Sequence, residues 1–298
     1  MPVVRTLEPG TRVVVEAPAT SANLGPGFDC FGLALDWRES VEVEVLASGV
    51  RVDVTGEGSE TLPRDESHLV LRCVTEGLDD LGLRAPGLAL RAHNTIPHGR
   101  GLGSSSAAIV AGLVAARALA SLAEDRGWVL RHANRVEGHP DNVAAATYGG
   151  FVLAYGHGEH VTVTSGRVHP DVRAAVVVAP TPVETRAARR LLPPTVPHAD
   201  AAADAGRAAL LVHALAEEPG LLHAATQDWL HQRYREPAMP EAYALMTRLR
   251  TAGFAATISG AGPSVLVLGT QARLAELEDT EPGARFRRLG IGAPARAL

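Results

Sequence analysis

The sequence predicts an α+β protein. Alternating apolar and polar runs mark strands, and alanine- and leucine-rich stretches mark helices. The two kinds are mixed without strict β-α alternation, which argues against a doubly wound sheet. The chain has 298 residues, 46% of them hydrophobic, enough for two domains with ample cores.

Thr11–Ala17 and Ser40–Leu46 alternate and read as strands. Between them Pro18–Phe31, rich in Gly, Pro, Asn and Ser, reads as a loop. Arg51–Thr55 is a short strand, and Ser67–Leu81 a helix with Asp65 or Ser67 as its N-cap. Leu88–Thr95 alternates again, a glycine-serine loop follows, and Ala107–Ala123 is a helix. Trp128–Glu137 reads as a helix and Tyr148–Tyr155 as a turn into a strand. Composition shifts to His and Gly near Gly156–Gly166, dividing the chain into 1–160 and 161–298. Beyond it, Ala174–Ala179 is a buried strand, and Thr185–Leu192 a helix stopped by Pro193 and Pro194. Asp200–Glu218 and Pro240–Ala252 are helices, the second ended by Gly253. Ala255–Ile258 and Ser264–Leu268 are strands around a glycine turn; a helix over Gln271–Asp279 and a strand over Arg285–Gly290 finish the chain.

The loop Ile96-Pro-His-Gly-Arg-Gly-Leu-Gly-Ser-Ser-Ser-Ala-Ala108 stands between a strand and a helix. Its glycines let backbone approach a ligand, and the free N–H groups and positive dipole of the following helix favour an anion. The hydroxyls of Ser104, Ser105 and Ser106 suit phosphate oxygens or magnesium. The loop is neither Gly-x-Gly-x-x-Gly nor a P-loop, for the chain has no lysine and all 28 basic side chains are arginine.

A net charge of −5 and the lack of basic runs argue against a nucleic-acid surface. Cys30 and Cys73 make no disulfide framework, which suits a reducing cytoplasm, and Cys30 is expected to be buried packing. Met1–Gly10 does not read as a signal peptide, and the apolar stretch near Ala107–Ala116 is too short for a bilayer. His157-Gly-Glu-His160 has metal-like spacing but no third ligand nearby, so zinc is not expected there.

Three loops lie at the start, middle and end of the chain: Ala17–Ala34, the glycine-serine loop, and Thr257–Ser264. Each is bracketed by apolar residues, which points to one site built from distant segments. Together they resemble the three signature motifs of the GHMP kinase superfamily, which includes galactokinase, homoserine kinase and mevalonate kinase. Thr20-Ser-Ala-Asn-Leu-Gly-Pro-Gly-Phe-Asp29 resembles the homoserine kinases rather than the Gly-Glu-His type of galactokinases and mevalonate kinases. Glu137–Val143, Glu184–Arg189 and Gln227–Arg235 agree, so the resemblance runs from about residue 11 to 270.

The resemblance implies a GHMP kinase two-domain fold, its N-terminal ATP-binding domain similar to ribosomal protein S5 domain 2 and its C-terminal domain ferredoxin-like. It implies ATP-dependent phosphorylation of L-homoserine in threonine biosynthesis; a homodimer is compatible with it. A nucleic-acid role, which the S5-like domain suggests, is opposed by the acidic balance and the lack of basic clustering, and the short apolar stretch speaks against a membrane partner. Pro97, His98, Gly99, Arg100, Gly101, Leu102, Gly103, Ser104, Ser105, Ser106 and Ala107 would wrap the triphosphate. Ser105 and Glu137 match the family's magnesium ligands. Arg189 and Arg235 match its carboxylate-binding arginines, Asp29 would take the ammonium group, and Asn23, His139 and Thr185 would complete the substrate site. Ser67–Val74 is the expected adenine wall. The family's base position falls on Asn142, an amide, with Asp141 one residue earlier. Homoserine kinases would then use Asn142 to orient the hydroxyl, the phosphate taking the proton; Asp141 is the rival base. Another GHMP kinase acting on a different small alcohol, or a non-catalytic sensor with this fold, stays open at this point.

Overall fold

Two large sheets and one parallel pair of short strands organise the chain in a computed structural model that describes residues 5–157 and 160–298. The strands are β1 (Arg5–Thr6), β2 (Arg12–Ala22), β3 (Phe31–Leu46), β4 (Gly49–Gly56), β5 (Leu83–Arg84), β6 (Gly87–Asn94), β7 (Phe151–His157), β8 (His160–Gly166), β9 (Val172–Val177), β10 (Ala255–Ile258), β11 (Val265–Thr270), β12 (Arg287–Leu289) and β13 (Arg296–Ala297). The first sheet runs β13-β2-β3-β6-β4, with β7 beside β3 and β8 on β7. The second runs β10-β11-β9-β12 and is wholly antiparallel. Read in chain order it is the β-α-β-β-α-β arrangement of a ferredoxin-like half.

The helices are α1 (Leu69–Asp80), α2 (Ser104–Leu119), α3 (Arg126–Glu137), α4 (Pro140–Tyr148), α5 (Thr185–Arg190), α6 (His198–Ala216), α7 (Leu222–Ala225), α8 (Gln232–Arg235), α9 (Pro240–Thr251), α10 (Gln271–Leu274) and α11 (Leu277–Thr280). The buried helix α2 packs on α1, α3, α4 and β2 and joins the main core.

Several boundaries differ from the sequence reading, each for a physical reason. The loop expected at Pro18–Phe31 shrinks to 23–30, because β2 continues to Ala22 and β3 starts at Phe31. Both ends are buried on both faces, so no alternation shows. Pro18 sits where the register slips, opposite Arg38, while Ala19 opposes Leu35; a residue without an N–H is tolerated at such a bulge. The N-cap of α1 is neither Asp65 nor Ser67 but His68, whose ring nitrogen accepts from the Val70 amide at 3.3 Å. Asp65 instead accepts from the Ser67 amide and hydroxyl. Helix α4 gave no signal: Val143–Ala146 are all fully buried, so no polar face marks the period. The helix predicted over Gln271–Asp279 is two short helices, α10 and α11.

The first sheet takes strands from both sides of residue 160. After the second sheet the chain returns and β13 pairs with β2. On the way the Gly292 amide donates to Ala34 O at 2.8 Å, and the Ala295 amide to Ala146 O at 2.8 Å. Among the described residues no helix is long and apolar enough to cross a membrane. The side chains of the His157-x-x-His160 spacing lie outside the described residues.

Candidate active site

The three loops meet. Ser259 Oγ lies 2.6 Å from Gly101 O and 2.8 Å from Ser21 Oγ, which ties the third motif to the second and the first. The Gly260 amide donates to Ala22 O at 3.1 Å. Gly101 has φ +69°, and a Cβ there would lie 2.1 Å from Ser259 O, so only glycine fits this junction. A cavity of about 110 Å³ opens where they meet. Asn23, Asp29, Gly99–Ser105, Glu137, His139, Asp141, Asn142, Thr185, Arg189 and Arg235 all line it.

Not every residue expected at the phosphate loop faces that space. Pro97 and Ser106 are buried and Ala107 belongs to the core, so none of the three lines the cavity. His98 lines the neighbouring cavity instead. The Arg100 guanidinium donates to the carbonyls of Ala179, His98 and Pro180 at 2.8–2.9 Å, which fastens the loop to the end of β9. At the head of α2, Gly103 is left-handed at φ +66° and offers no side-chain cap. The first amides of a 16-residue helix therefore keep their donors for whatever the loop surrounds.

Glu137, at the end of α3, reaches the same helix start. Its Oε1 accepts from Ser105 Oγ at 2.8 Å and Ser106 Oγ at 3.1 Å. A carboxylate and hydroxyls are hard oxygen donors, and this set fits a magnesium ion that completes its shell with phosphate oxygens and water. Among the described residues no three His, Cys, Asp or Glu side chains cluster to hold a metal unaided.

The opposite wall is built from cations and carboxylates. Arg189, on α5, makes a two-pronged ion pair with Asp29, at 2.9 Å and 2.6 Å. Asp29 holds φ +56° and Asn23 φ +68°. Asn23 Oδ1 accepts from the Asp29 amide at 3.0 Å, and its Nδ2 donates to Gly260 O at 2.9 Å, so this side chain fixes the loop's shape.

Arg235 is 1% exposed. Its Nη1 donates to Gly260 O and to His231 Nδ1, each at 3.2 Å. Among the described residues no carboxylate stands within ion-pair distance of it. Burial and then Arg189 bring it down to about 10, which leaves it charged at neutral pH. His231 is kept neutral by burial; its Nε2–H donates to Gly25 O at 2.8 Å, so Nδ1 is free to accept from Arg235. Asp228 caps the turn that carries both, accepting from the amides of Leu230, His231 and Gln232. Phe28 lies between the arginines, with Cζ of Arg189 5.3 Å and of Arg235 5.4 Å from its ring centre. Phe28 falls inside the Thr20–Asp29 stretch, but an uncharged ring shows no role of its own until the fold sets it between two cations.

Thr20 opens the same stretch, and its role too comes from the fold. It is fully buried, and its Oγ1 donates to Asn142 Oδ1 at 2.7 Å. That bond turns the amide of Asn142 so that Nδ2 lies 3.2 Å from Asp141 Oδ1. Asp141 Oδ1 also accepts from the Asn142 backbone amide at 2.6 Å. Burial, then Asp29, raises the Asp141 carboxyl to about 7. Burial followed by Arg189 lowers His139. Cys30 is exposed rather than buried, since the loop turns it outward after Asp29.

The GHMP kinases N terminal domain family matches residues 68–150, and the GHMP kinases C terminal family residues 207–280. A homoserine kinase of Streptomyces coelicolor is 54% identical over 259 residues, 86% of this chain and 84% of that one. The chain belongs to the homoserine kinases of the GHMP kinase family. A homoserine kinase of Cutibacterium acnes is 50% identical, covering 90% of this chain and 93% of its own. The crystal structure of a homoserine kinase from Cytophaga hutchinsonii superposes with a TM-score of 0.86 at 28% identity, covering 97% of this chain and 98% of the other. Thus the GHMP kinase fold, mixed α+β with an N-terminal and a C-terminal half, stands on both sequence and structure.

Proposed function

We propose that this chain transfers the γ-phosphoryl group of ATP to the side-chain hydroxyl of L-homoserine, giving O-phospho-L-homoserine and ADP on the route to threonine. Membership of the homoserine kinases supports the reaction. One observation carries the substrate: Arg235, a buried cation without a carboxylate partner, borders a cavity whose opposite wall is the phosphate loop. Burying such a charge is costly unless an anion meets it. An amino-acid carboxylate does so, and the Asp29–Arg189 pair beside it offers the charges that mirror a zwitterion. Asp29 takes the ammonium group, Arg189 shares the carboxylate, and Asn23, His139 and Thr185 enclose the chain between.

Phosphoryl transfer demands position and charge neutralisation more than covalent help. Gly99–Ser105 and the first amides of α2 surround the transferring group. Ser105 and Glu137 would hold magnesium, which would supply neutralisation of the phosphate charge. Asn142, fixed through Oδ1 by Thr20, turns its Nδ2 donor to the hydroxyl oxygen and aligns it for in-line attack, while the phosphate takes the proton. The enzyme works in the cytoplasm. A coupled ADP-release assay decides the matter. L-Homoserine should be turned over far faster than D-homoserine, L-serine or mevalonate; a preference for mevalonate, or no turnover of any of them, would overturn the reading.

A further inference from the structure

A second cavity, of about 350 Å³, shares Ser104 and Ser105 with the first and has apolar walls that include Leu62, Pro63, Leu69 and Val70. An apolar slot next to a phosphate loop suits the flat face of a nucleobase. One lining residue does not belong in such a wall. Glu39, from β3, is 5% exposed, and its Oε2 is buried with no hydrogen-bond partner. The Ile96 amide, at the entry to the loop, addresses its carboxyl. An acid buried for packing alone would be a poor choice, since an apolar residue there would cost less.

We infer that Glu39 binds the nucleotide's base: its carboxyl takes the Ile96 N–H on one oxygen and, from the other, donates an O–H to a ring nitrogen of adenine. The inference rests on the nucleotide reading above. Burial raises Glu39 to about 8, so at neutral pH it carries the proton it must donate. His68 from α1 and His98 from the loop are the other titratable groups of this wall, with Arg64 beside the first and Glu57 and Arg100 beside the second. Burial lowers both histidines, so neither changes charge between pH 7 and 9.5, taking about 6.5 as their ordinary value. Glutamine at 39 would keep an acceptor for Ile96 and a donor for the base without a titrating proton. Methionine would keep the shape and neither function.

Calorimetric binding of ADP tests this without needing turnover. In E39M the ADP dissociation constant should rise about tenfold or more, the worth of one good hydrogen bond into a buried site. E39Q should stay within about threefold of the parent. The parent's affinity should fall more steeply than that of E39Q as pH climbs from 7 to 9.5, because E39Q shares any titration of ADP and of Asp141 but lacks that of Glu39. Thermal unfolding of E39M should match or exceed the parent, so that weak binding is not poor folding. ADP binding by E39M as tight as the parent's would overturn the inference, as would one pH profile shared by parent and E39Q. A chain whose ADP affinity followed Glu39 but which left homoserine untouched would instead sink the kinase reading and leave this one standing.

Discussion

At the scale of single residues, the site is a set of charges held where a folded protein would rather not hold them. Arg235→Met separates function from stability. The KM for homoserine should rise by the equivalent of about 2–5 kcal/mol, because a buried carboxylate loses its cation, while the KM for ATP hardly moves. The same variant should melt no lower than the parent, since a desolvated guanidinium gives way to an apolar chain. A large rise in the ATP KM with homoserine unaffected would place Arg235 on the nucleotide side. Asp141 and Asn142 pose the other question. If alignment suffices, Asn142→Ala should cut kcat by about a hundredfold or more and Asp141→Asn far less. If Asp141 were the base, Asp141→Asn would be dead while folding and binding both substrates. Stability gives a second reading of Asp141. Its folded value near 7 lies above the ordinary 3.8, so the fold disfavours its charged form. The parent should therefore lose stability as pH rises from about 4 to 7 and level off above, and Asp141→Asn should remove that loss. Melting temperatures from pH 4 to 8.5 check it.

At the scale of elements, what the sequence showed and hid follows from how each element meets solvent. Strands with one wet face, such as β6, alternate and were legible. Helix α4 and the second half of β2 are buried all round, so their pattern vanishes although they carry Asn142 and Thr20. Charged and glycine-rich residues such as Glu137, Arg189 and Gly101 carry their chemistry in their identity and spacing; the contacts of Phe28 and Thr20 and the burial of Glu39 come only from the fold. The junction of loop and α2 shows how tightly those hidden residues are coupled. A Cβ on Gly103 would stand 1.9 Å from Thr20 Oγ1 and 3.1 Å from Asn142 Oδ1. Gly103→Ala should raise the ATP KM and also lower kcat, because displacing Thr20 frees the Asn142 amide. Gly82→Ala is the control. Its φ of +69° is equally left-handed, but a Cβ there meets nothing within 4 Å. It should cost about 1 kcal/mol of stability and leave both kinetic constants alone. Equal kinetic damage from both changes would mean that backbone strain, not the Thr20 contact, governs the site.

At the scale of the whole molecule, the site depends on a segment that touches none of the substrate residues. The last nine residues leave the second sheet and close the first. The Arg38 guanidinium donates to Ala293 O at 2.8 Å and Pro294 O at 2.9 Å. The Ala295 amide caps Ala146 O on α4, and Ala295 itself is 1% exposed. The Leu298 amide donates to Val14 O, extending the edge of β2. This clasp presses α4 against β2 and β3, and α4 carries Asp141 and Asn142 at its head. Deleting 293–298 should therefore loosen the reaction centre from behind. Hydrogen exchange should quicken in α4 and at the Val13–Val15 edge, while β10 and β11, in the other sheet, stay protected. Kinetically, kcat should fall more than either KM, because Arg189 and Arg235 come from α5 and α8, which the clasp does not touch. If exchange quickened in the second sheet as much as in α4, the two halves would unfold as one cooperative unit. The tail would then be a stabiliser of the entire protein and not a support for the helix that carries Asn142.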